Sequence, residues 1–353
     1  MSNLIQRMEK PKDRDFIETT EGLLFCVVGY LHPPDKYTAY LKYVPNVDGK
    51  WRRRGTSYAR VLPYYHVSQV ENTYGYLQEN HPRYMYRCPV RNITVSSVPL
   101  CSVKRYYRPR SRLEAILRDG PRDGLEDKLI RLLAILSAFT GLDINDLGVT
   151  GSMLTETHSP EFSDMDITVY GVGATLLLKE AITGIRGDGE VIQPFSDAKW
   201  EEWSMNRAGR FPLSFEELMM FTERKWNYGV YKDTYFSVHP VRTDEEITEK
   251  YGDFTYRQRG EVAGEAEISD SSESIYIPAI YCVEDVEIHE GSHAGINEIV
   301  SYEGLFCDMF EPGERVKFRG VLERVKDGGE RHRVVIGGAG SRLSFMRLVS
   351  KAA

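Results

Sequence analysis

The sequence predicts an α+β protein of several domains: a β-rich N-terminal part over residues 1–110, a central mixed sheet with helices over 111–245, and a small C-terminal β-barrel over 260–353, with OB-like character. Three observations lead there. Early β-like runs (Leu23 to Tyr30, Tyr37 to Val44, Ile93 to Val98) are broken by HPPDK, NVDGK and ENHPR turn chemistry. From Ser111 to about Thr243 helical and strand-like patterns alternate, which fits a small mixed sheet with helices on one side. After Ile275 the runs SIYIPAIYCV, EIVSYEGLF, ERVKFRGVLERV and RHRVVIGG are apolar or alternating again, with DGG as a turn, and a closed barrel of about five strands accommodates them. At 353 residues the chain exceeds one ordinary core.

The helices are expected over Leu125 to Phe139, over Ala174 to Ile182 and near Trp200 and Glu216. The acidic passage EVAGEAEISDSSES reads as a linker or exposed loop. Bases on the last barrel strands (Lys317, Arg319, Arg324, Arg331, Arg333) make an oligonucleotide-binding barrel one reading and a docking platform the other.

Composition excludes several classes. Five cysteines (Cys26, Cys88, Cys101, Cys282, Cys307) are scattered without C-x-x-C spacing, against a zinc site or disulfide frame and for free thiols in a reducing cytoplasm. MSNLIQRMEKPKDRD lacks an apolar core segment and no long uncharged apolar run follows, so secretion and a membrane partner are not expected. Net charge is −7 but uneven: residues 1–120 hold 20 Lys+Arg against 11 Asp+Glu, whereas residues 241–311 hold 18 acids against four bases. Such asymmetry points to an anionic partner for the front half or to docking between the halves, and excludes a uniformly nucleic-acid-coating protein. Trp51-Arg52-Arg53-Arg54 and Lys104-Arg105 with Tyr106-Tyr107 are candidate RNA contacts, because bases among aromatics hold phosphates and stack nucleobases. A solvated hairpin and an interdomain linker broken by Pro109 are the plainer readings.

The chemistry concentrates in GSMLTETHSPEFSDMDITVY, Gly151 to Tyr170. On a strand Asp164 and Asp166 project to one side with Met165 opposed. Two such carboxylates repel unless a hard cation lies between them, and oxygen ligands suit Mg²⁺. Upstream, Leu147 and Val149 read as a short buried strand, and Gly151-Ser152 turns out of it toward a helix, a ready phosphate cradle. Cradle and metal site together suit a nucleoside triphosphate.

GS followed at this distance by SDMDI resembles the signature of the DNA polymerase beta-type nucleotidyltransferase superfamily, with Gly151, Ser152, Asp164 and Asp166 matching one by one and Ser163 beside them. The chain is also similar overall to archaeal predicted nucleotidyltransferases. The resemblance implies a nucleotidyltransferase-fold sheet, Mg²⁺ or Mn²⁺ on Asp164 and Asp166, an NTP substrate and transfer of NMP to a hydroxyl acceptor, RNA or protein, with release of pyrophosphate. It implies nucleotide-binding roles for Gly151, Ser152 and Ser163, and places Arg224, Lys225 and Lys232 beside the triphosphate, although bases at a helix end also complement its dipole. It further implies a third carboxylate on a later strand. Thr234 to Val241, TYFSVHPV, stands in that place with Ser237 where the acid belongs and His239 on the same face as a candidate base; Asp233 and Asp244 flank it as fallbacks. A catalytically weak nucleotide- or RNA-binding module is therefore the alternative reading. GGAGSR near Gly337 lacks the lysine and context of a phosphate loop.

Overall fold

The computed structural model describes residues 10–61, 67–189, 191–208, 211–326, 328–337 and 343–349. The first sheet contains β1 (Phe16–Thr19), β2 (Leu24–Val27), β3 (Lys36–Pro45), β4 (Trp51–Arg53) and β5 (Thr56–Arg60), then, after α1 (Val67–Asn80), β6 (Met85–Cys88), β7 (Ile93–Pro99) and β8 (Val103–Tyr107). Its main path runs β4-β5-β3-β2-β1-β8. One face buries Phe16, Leu24, Tyr43, Trp51 and Tyr58 together with Leu154 of the next unit; the other buries Ile17, Phe25 and Leu41 with Leu77 of α1. Gly49 is required in the β3–β4 connection, because a Cβ there would stand 2.2 Å from the Tyr58 carbonyl.

The middle of the chain provides α2 (Pro109–Asp119), α3 (Gly124–Thr140), β9 (Leu147–Val149), α4 (Gly151–Leu154), β10 (Met165–Tyr170), α5 (Val172–Asp188), α6 (Asp197–Ala208), α7 (Phe215–Arg224), β11 (Tyr228–Tyr231) and β12 (Thr234–Val241). Pro109, expected to break the chain, instead opens α2, where its fixed φ and missing N–H cost nothing. Asp123 caps α3 by accepting from Leu125 and Glu126, and Gly141 closes it in the left-handed region at φ 71°. The sheet order is β11-β12-β10-β9, with β10 parallel to β12 and antiparallel to β9. Leu129, Leu133, Leu136, Ile167, Leu178 and Val238 fill the core between this sheet and α3 and α5.

The last sheet holds β13 (Thr255–Asp270), β14 (Ala279–Glu290), β15 (Ile296–Ser301), β16 (Arg315–Lys326), β17 (Glu330–Ile336) and β18 (Phe345–Leu348). Pairing runs β13-β14-β15-β17-β16 and back to β13, a closed five-strand ring with β18 added at β16; only β15 and β17 are parallel within the ring. The fifth strand of the ring is the passage read as a linker. Ala266 and Ile268 point into the core while Glu265 and Glu267 alternate outward, so EVAGEAEISD is a long strand whose acids face solvent. The barrel's bases are largely matched: Arg319 with Glu290 at 2.5 Å, Arg324 with Glu330 at 3.5 Å, Arg333 with Glu323 at 2.8 Å, and Arg331 with Glu298. The barrel core extends outward, taking in Trp200 and Trp203 of α6 and Leu218 and Phe221 of α7. Among the described residues no helix is long and apolar enough to cross a membrane.

Candidate functional site

Asp164 and Asp166 come to the site by position on β10, one residue before its start and one after it. The parallel register sets Asp166 beside Ser237 and Thr168 beside His239. Ser237 Oγ donates to Asp166 Oδ1 at 2.7 Å and lies 2.8 Å from His239 Nε2. A hydroxyl has one proton, and here it goes to the carboxylate; His239 therefore presents Nε2–H to the serine oxygen. The chain His239 to Ser237 to Asp166 orients the carboxylate. Ser237 and His239 thus stand together at the expected place.

On the other side, Gly151 has φ +66°, and a Cβ would fall 2.2 Å from Asp166 Oδ2. Only glycine permits both the left-handed turn and the carboxylate against it. The Thr150 N–H donates to the Asp166 carbonyl at 2.8 Å, and Thr150 Oγ1 to the Arg14 carbonyl at 2.6 Å, tying the turn to β10 and to the N-terminal segment.

Electrostatics separate the two carboxylates. Burial would push Asp166 up, but the polar ring of His239 close by, the charge of Lys42 and the Ser237 hydroxyl hold it well below the usual carboxylate range. Asp164 goes the other way. Partial loss of hydration at the cleft wall, then the charge of Asp166, pushes it up to about 6 against the pull of Arg60 and Lys199. Burial, then the charge of Arg14, lowers His239 to about 4, so its ring is neutral at pH 7.

Both aspartates line a cleft of about 640 Å³, with Ser152 and Ser163 on the same wall. The facing wall belongs to the N-terminal sheet: Asp48, Lys50, Trp51 and Arg60, with Phe162 at the mouth. In the sequence Asp48 and Lys50 belonged only to the NVDGK turn, Trp51 to a candidate RNA run and Phe162 to the stretch before the aspartates, and none was read as part of this site. Asp48 is the only further carboxylate lining this cleft among the described residues, and it sits on that opposite wall. The fallback acids are elsewhere: Asp244 pairs with Lys12, and Asp233 occupies the β11–β12 turn at φ 62°.

Three candidate phosphate ligands do not line the cleft. Arg224 pairs with Glu314 at 2.6 Å, buried Lys225 donates to the carbonyls of Gly304 at 3.0 Å and Cys307 at 3.1 Å, and Lys232 lies in the β11–β12 turn with its ammonium 5.5 Å from the Tyr231 ring. Arg224 and Lys225 secure α7 to the barrel, a partner the sequence order conceals. Of the candidate RNA contacts, Arg53, Arg54, Lys104 and Arg105 line a separate cleft of about 520 Å³ that also contains Glu18 and Glu21. Glu18 pairs there with Arg53 at 2.8 Å and Lys104 at 2.9 Å; Arg52 is exposed on β4.

A second group of possible metal ligands, Asp123, Glu126 and His158, has ligand atoms within 4.8 Å of one another. Glu126 already accepts from the Arg112 guanidinium and from the Arg122 N–H, and Asp123 from two helix N–H groups. Arg112 supplies the compensating charge that a cation would bring, so the cluster reads as an internal lock. Asp164 and Asp166 are the better donor set: two crowded carboxylates lining an open cleft, one destabilised by the other's charge.

That crowding has a measurable sign. Asp164 must be ionised to hold a cation, so Mn²⁺ affinity is expected to fall about tenfold per pH unit below about 6 and to level off above it. Because its folded-state pKa is raised, its charge weakens the fold progressively from its ordinary value to about 6 and fully above. Asp164→Asn should therefore raise the melting temperature near pH 7.5 and leave it unchanged near pH 4; calorimetry at both values checks this, and equal effects would contradict it.

Fold and site define an α+β protein of several sheets whose middle sheet presents a carboxylate pair to a cleft shared with the N-terminal sheet. The chain belongs to the family of uncharacterized protein MJ1086 of Methanocaldococcus jannaschii, to which it is 33% identical over 332 residues, spanning 93% of this chain and 96% of that protein. No family profile and no solved structure matches it.

Proposed function

We propose that this protein is a metal-dependent nucleotidyltransferase that moves an NMP from an NTP to a hydroxyl of RNA or protein and releases pyrophosphate. The observation that carries this reading is the shared cleft: Asp164 and Asp166 on one wall and Lys50 and Arg60 on the other. Carboxylates alone would suit a cation and cations alone an anion; both together suit a metal–polyphosphate.

In this reading Asp164 and Asp166 hold Mg²⁺ or Mn²⁺, and Ser152 with the Gly151 turn and Ser163 receives phosphate oxygens. Arg60 neutralises the phosphates, the part expected of Arg224, Lys225 and Lys232, and Lys50 adds positive charge to the same wall. Ser237 and His239 keep Asp166 ionised and aimed. A bound Mg²⁺ would polarise the α-phosphorus and neutralise the leaving pyrophosphate. The acceptor hydroxyl oxygen bonds to the α-phosphorus as the bridge to the β-phosphate breaks; its proton passes to solvent and the pyrophosphate leaves with the bridging oxygen. The closed ring with its single parallel pair supports an OB-like barrel; its arginines are paired, as are Arg53 and Lys104 of the 520 Å³ cleft with Glu18, so an RNA acceptor would have to displace ion pairs at either surface.

A second reading, a nucleotide- or RNA-binding module with little turnover, is favoured by one observation: Ser237 hydrogen-bonds Asp166 where a third carboxylate would stand. The two are separated by incubating the protein with α-labelled NTPs, Mg²⁺ or Mn²⁺ and cellular RNA and protein. Label on an acceptor with matching pyrophosphate release, lost in Asp166→Asn, is the expected result. Nucleotide binding without transfer would favour the module.

A further inference from the structure

The mouth of the carboxylate cleft is aromatic. Phe162 is 46% exposed although it is a large apolar ring. It stands edge-on to Trp51, ring centres 6.1 Å apart at 85°, and the Lys50 ammonium lies over both rings, 5.1 Å from Trp51 and 5.6 Å from Phe162. Arg60 stacks on Trp51 at 4.5 Å, and its charge reaches Asp164. Trp51 itself is 8% exposed, so within this wall Phe162 offers the open aromatic surface.

These groups fall in an order. The carboxylate pair comes first, then a guanidinium that acts on Asp164, then an ammonium beside a bare ring. A nucleotide has the complementary order of charges and surfaces: metal-bound phosphates at one end and a flat π-system with acceptor atoms at the other. Phe162 precedes Asp164 by two residues in the loop between α4 and β10, whereas Lys50, Trp51 and Arg60 come from the first sheet. Base and phosphates would then each be gripped by residues of both units.

We propose that Phe162 is the platform on which the nucleobase of the bound nucleotide stacks, with Lys50 donating to acceptor atoms on the base edge and Arg60 to the phosphates. The inference rests on the nucleotidyltransferase reading and adds to it the site's recognition of a base. An aromatic platform of this kind is tolerant of base identity, since every base has a π-face. Discrimination among bases falls to Lys50.

The test is calorimetric titration of the full chain with Mg²⁺–ATP, with Mg²⁺–tripolyphosphate, which has no base, and with a short oligoadenylate. Phe162→Ala should weaken ATP by about 5- to 150-fold, the value of one base stacked on an aromatic side chain, and leave tripolyphosphate unchanged. Phe162→Tyr should restore ATP affinity, and Arg60→Gln should weaken ATP and tripolyphosphate alike. Unchanged ATP affinity in Phe162→Ala, with Mg²⁺-dependent tripolyphosphate binding retained, would overturn the stacking platform and spare the functional reading. Equal loss of ATP and tripolyphosphate in that variant would also overturn it, and oligoadenylate alone depending on Phe162 would reassign the ring to an RNA base. Failure of the wild-type protein to bind either ATP or tripolyphosphate would remove the functional reading and this inference together.

Discussion

Asp166→Asn is expected to weaken Mg²⁺-dependent ATP binding by at least about 100-fold while the protein stays folded. Residues that merely hydrogen-bond a metal ligand already cost about 10–100-fold in affinity when replaced, and Asp166 is read here as a ligand itself. The amide is nearly isosteric, and its oxygen can still accept from Ser237, which now lies 2.7 Å from Asp166 Oδ1. Its nitrogen would meet the crowded side facing Gly151, where the carboxylate leaves no space for a Cβ. What changes is charge: an acid held well below the usual range becomes neutral, and the cations around it, Arg14 and Lys42, lose one of the charges that balance them, Arg14 keeping Asp13. Calorimetric titration with and without Mg²⁺, beside a thermal melt, measures both halves. Unchanged affinity in a folded variant would remove the metal-site assignment.

Arg112→Leu is expected to lower folding stability by about 3–5 kcal/mol, because it strands a buried carboxylate. Glu126 is 1% exposed, and the Arg112 guanidinium is its ion-pair partner inside the helical layer. The same guanidinium donates from Nε to the Met153 carbonyl at 3.1 Å, so it also supports α4 and the Gly151 turn. Arg112→Leu combined with Glu126→Leu should recover most of the loss, since replacing both partners removes the unpaired charge. Urea denaturation of the two variants measures the difference. A single variant as stable as the wild type would overturn the reading of Asp123, Glu126 and His158 as a lock closed by Arg112.

The carboxylate site was legible where its parts are local or repeat with the strand period. Asp164 and Asp166 lie two apart at the start of one strand, Asp164 just ahead of it, and Ser237 and His239 two apart on its neighbour, so alternation brought each pair to one side. The serine's presence beside Asp166 required only that the two apolar strands pair in parallel, as they do. Arg224 and Lys225 were read toward the triphosphate because they precede β12; the structure turns them to Glu314 and the Gly304–Cys307 carbonyls, since α7 packs into the barrel core. EVAGEAEISDSSES looked like a linker because it is rich in Gly, Ser and acids. The available signal was the alternation of Glu265 and Glu267 with Ala266 and Ile268, which marks a strand open to solvent on one side.

The sequence by itself determined the α+β character, the sheet-by-sheet order of the chain and the pairing of two acids with a glycine turn, because propensity, period and turn chemistry act over a few residues. Tertiary structure alone decided what faces those acids. Lys50, Trp51 and Arg60 lie about a hundred residues before Asp164 and reach it through packing of the first sheet against α4, where Leu154 joins the core of Phe16, Leu24 and Trp51. Burial of apolar surface drives that docking and carries no local signature. The opposite wall of the cleft is therefore a consequence of how two cores meet.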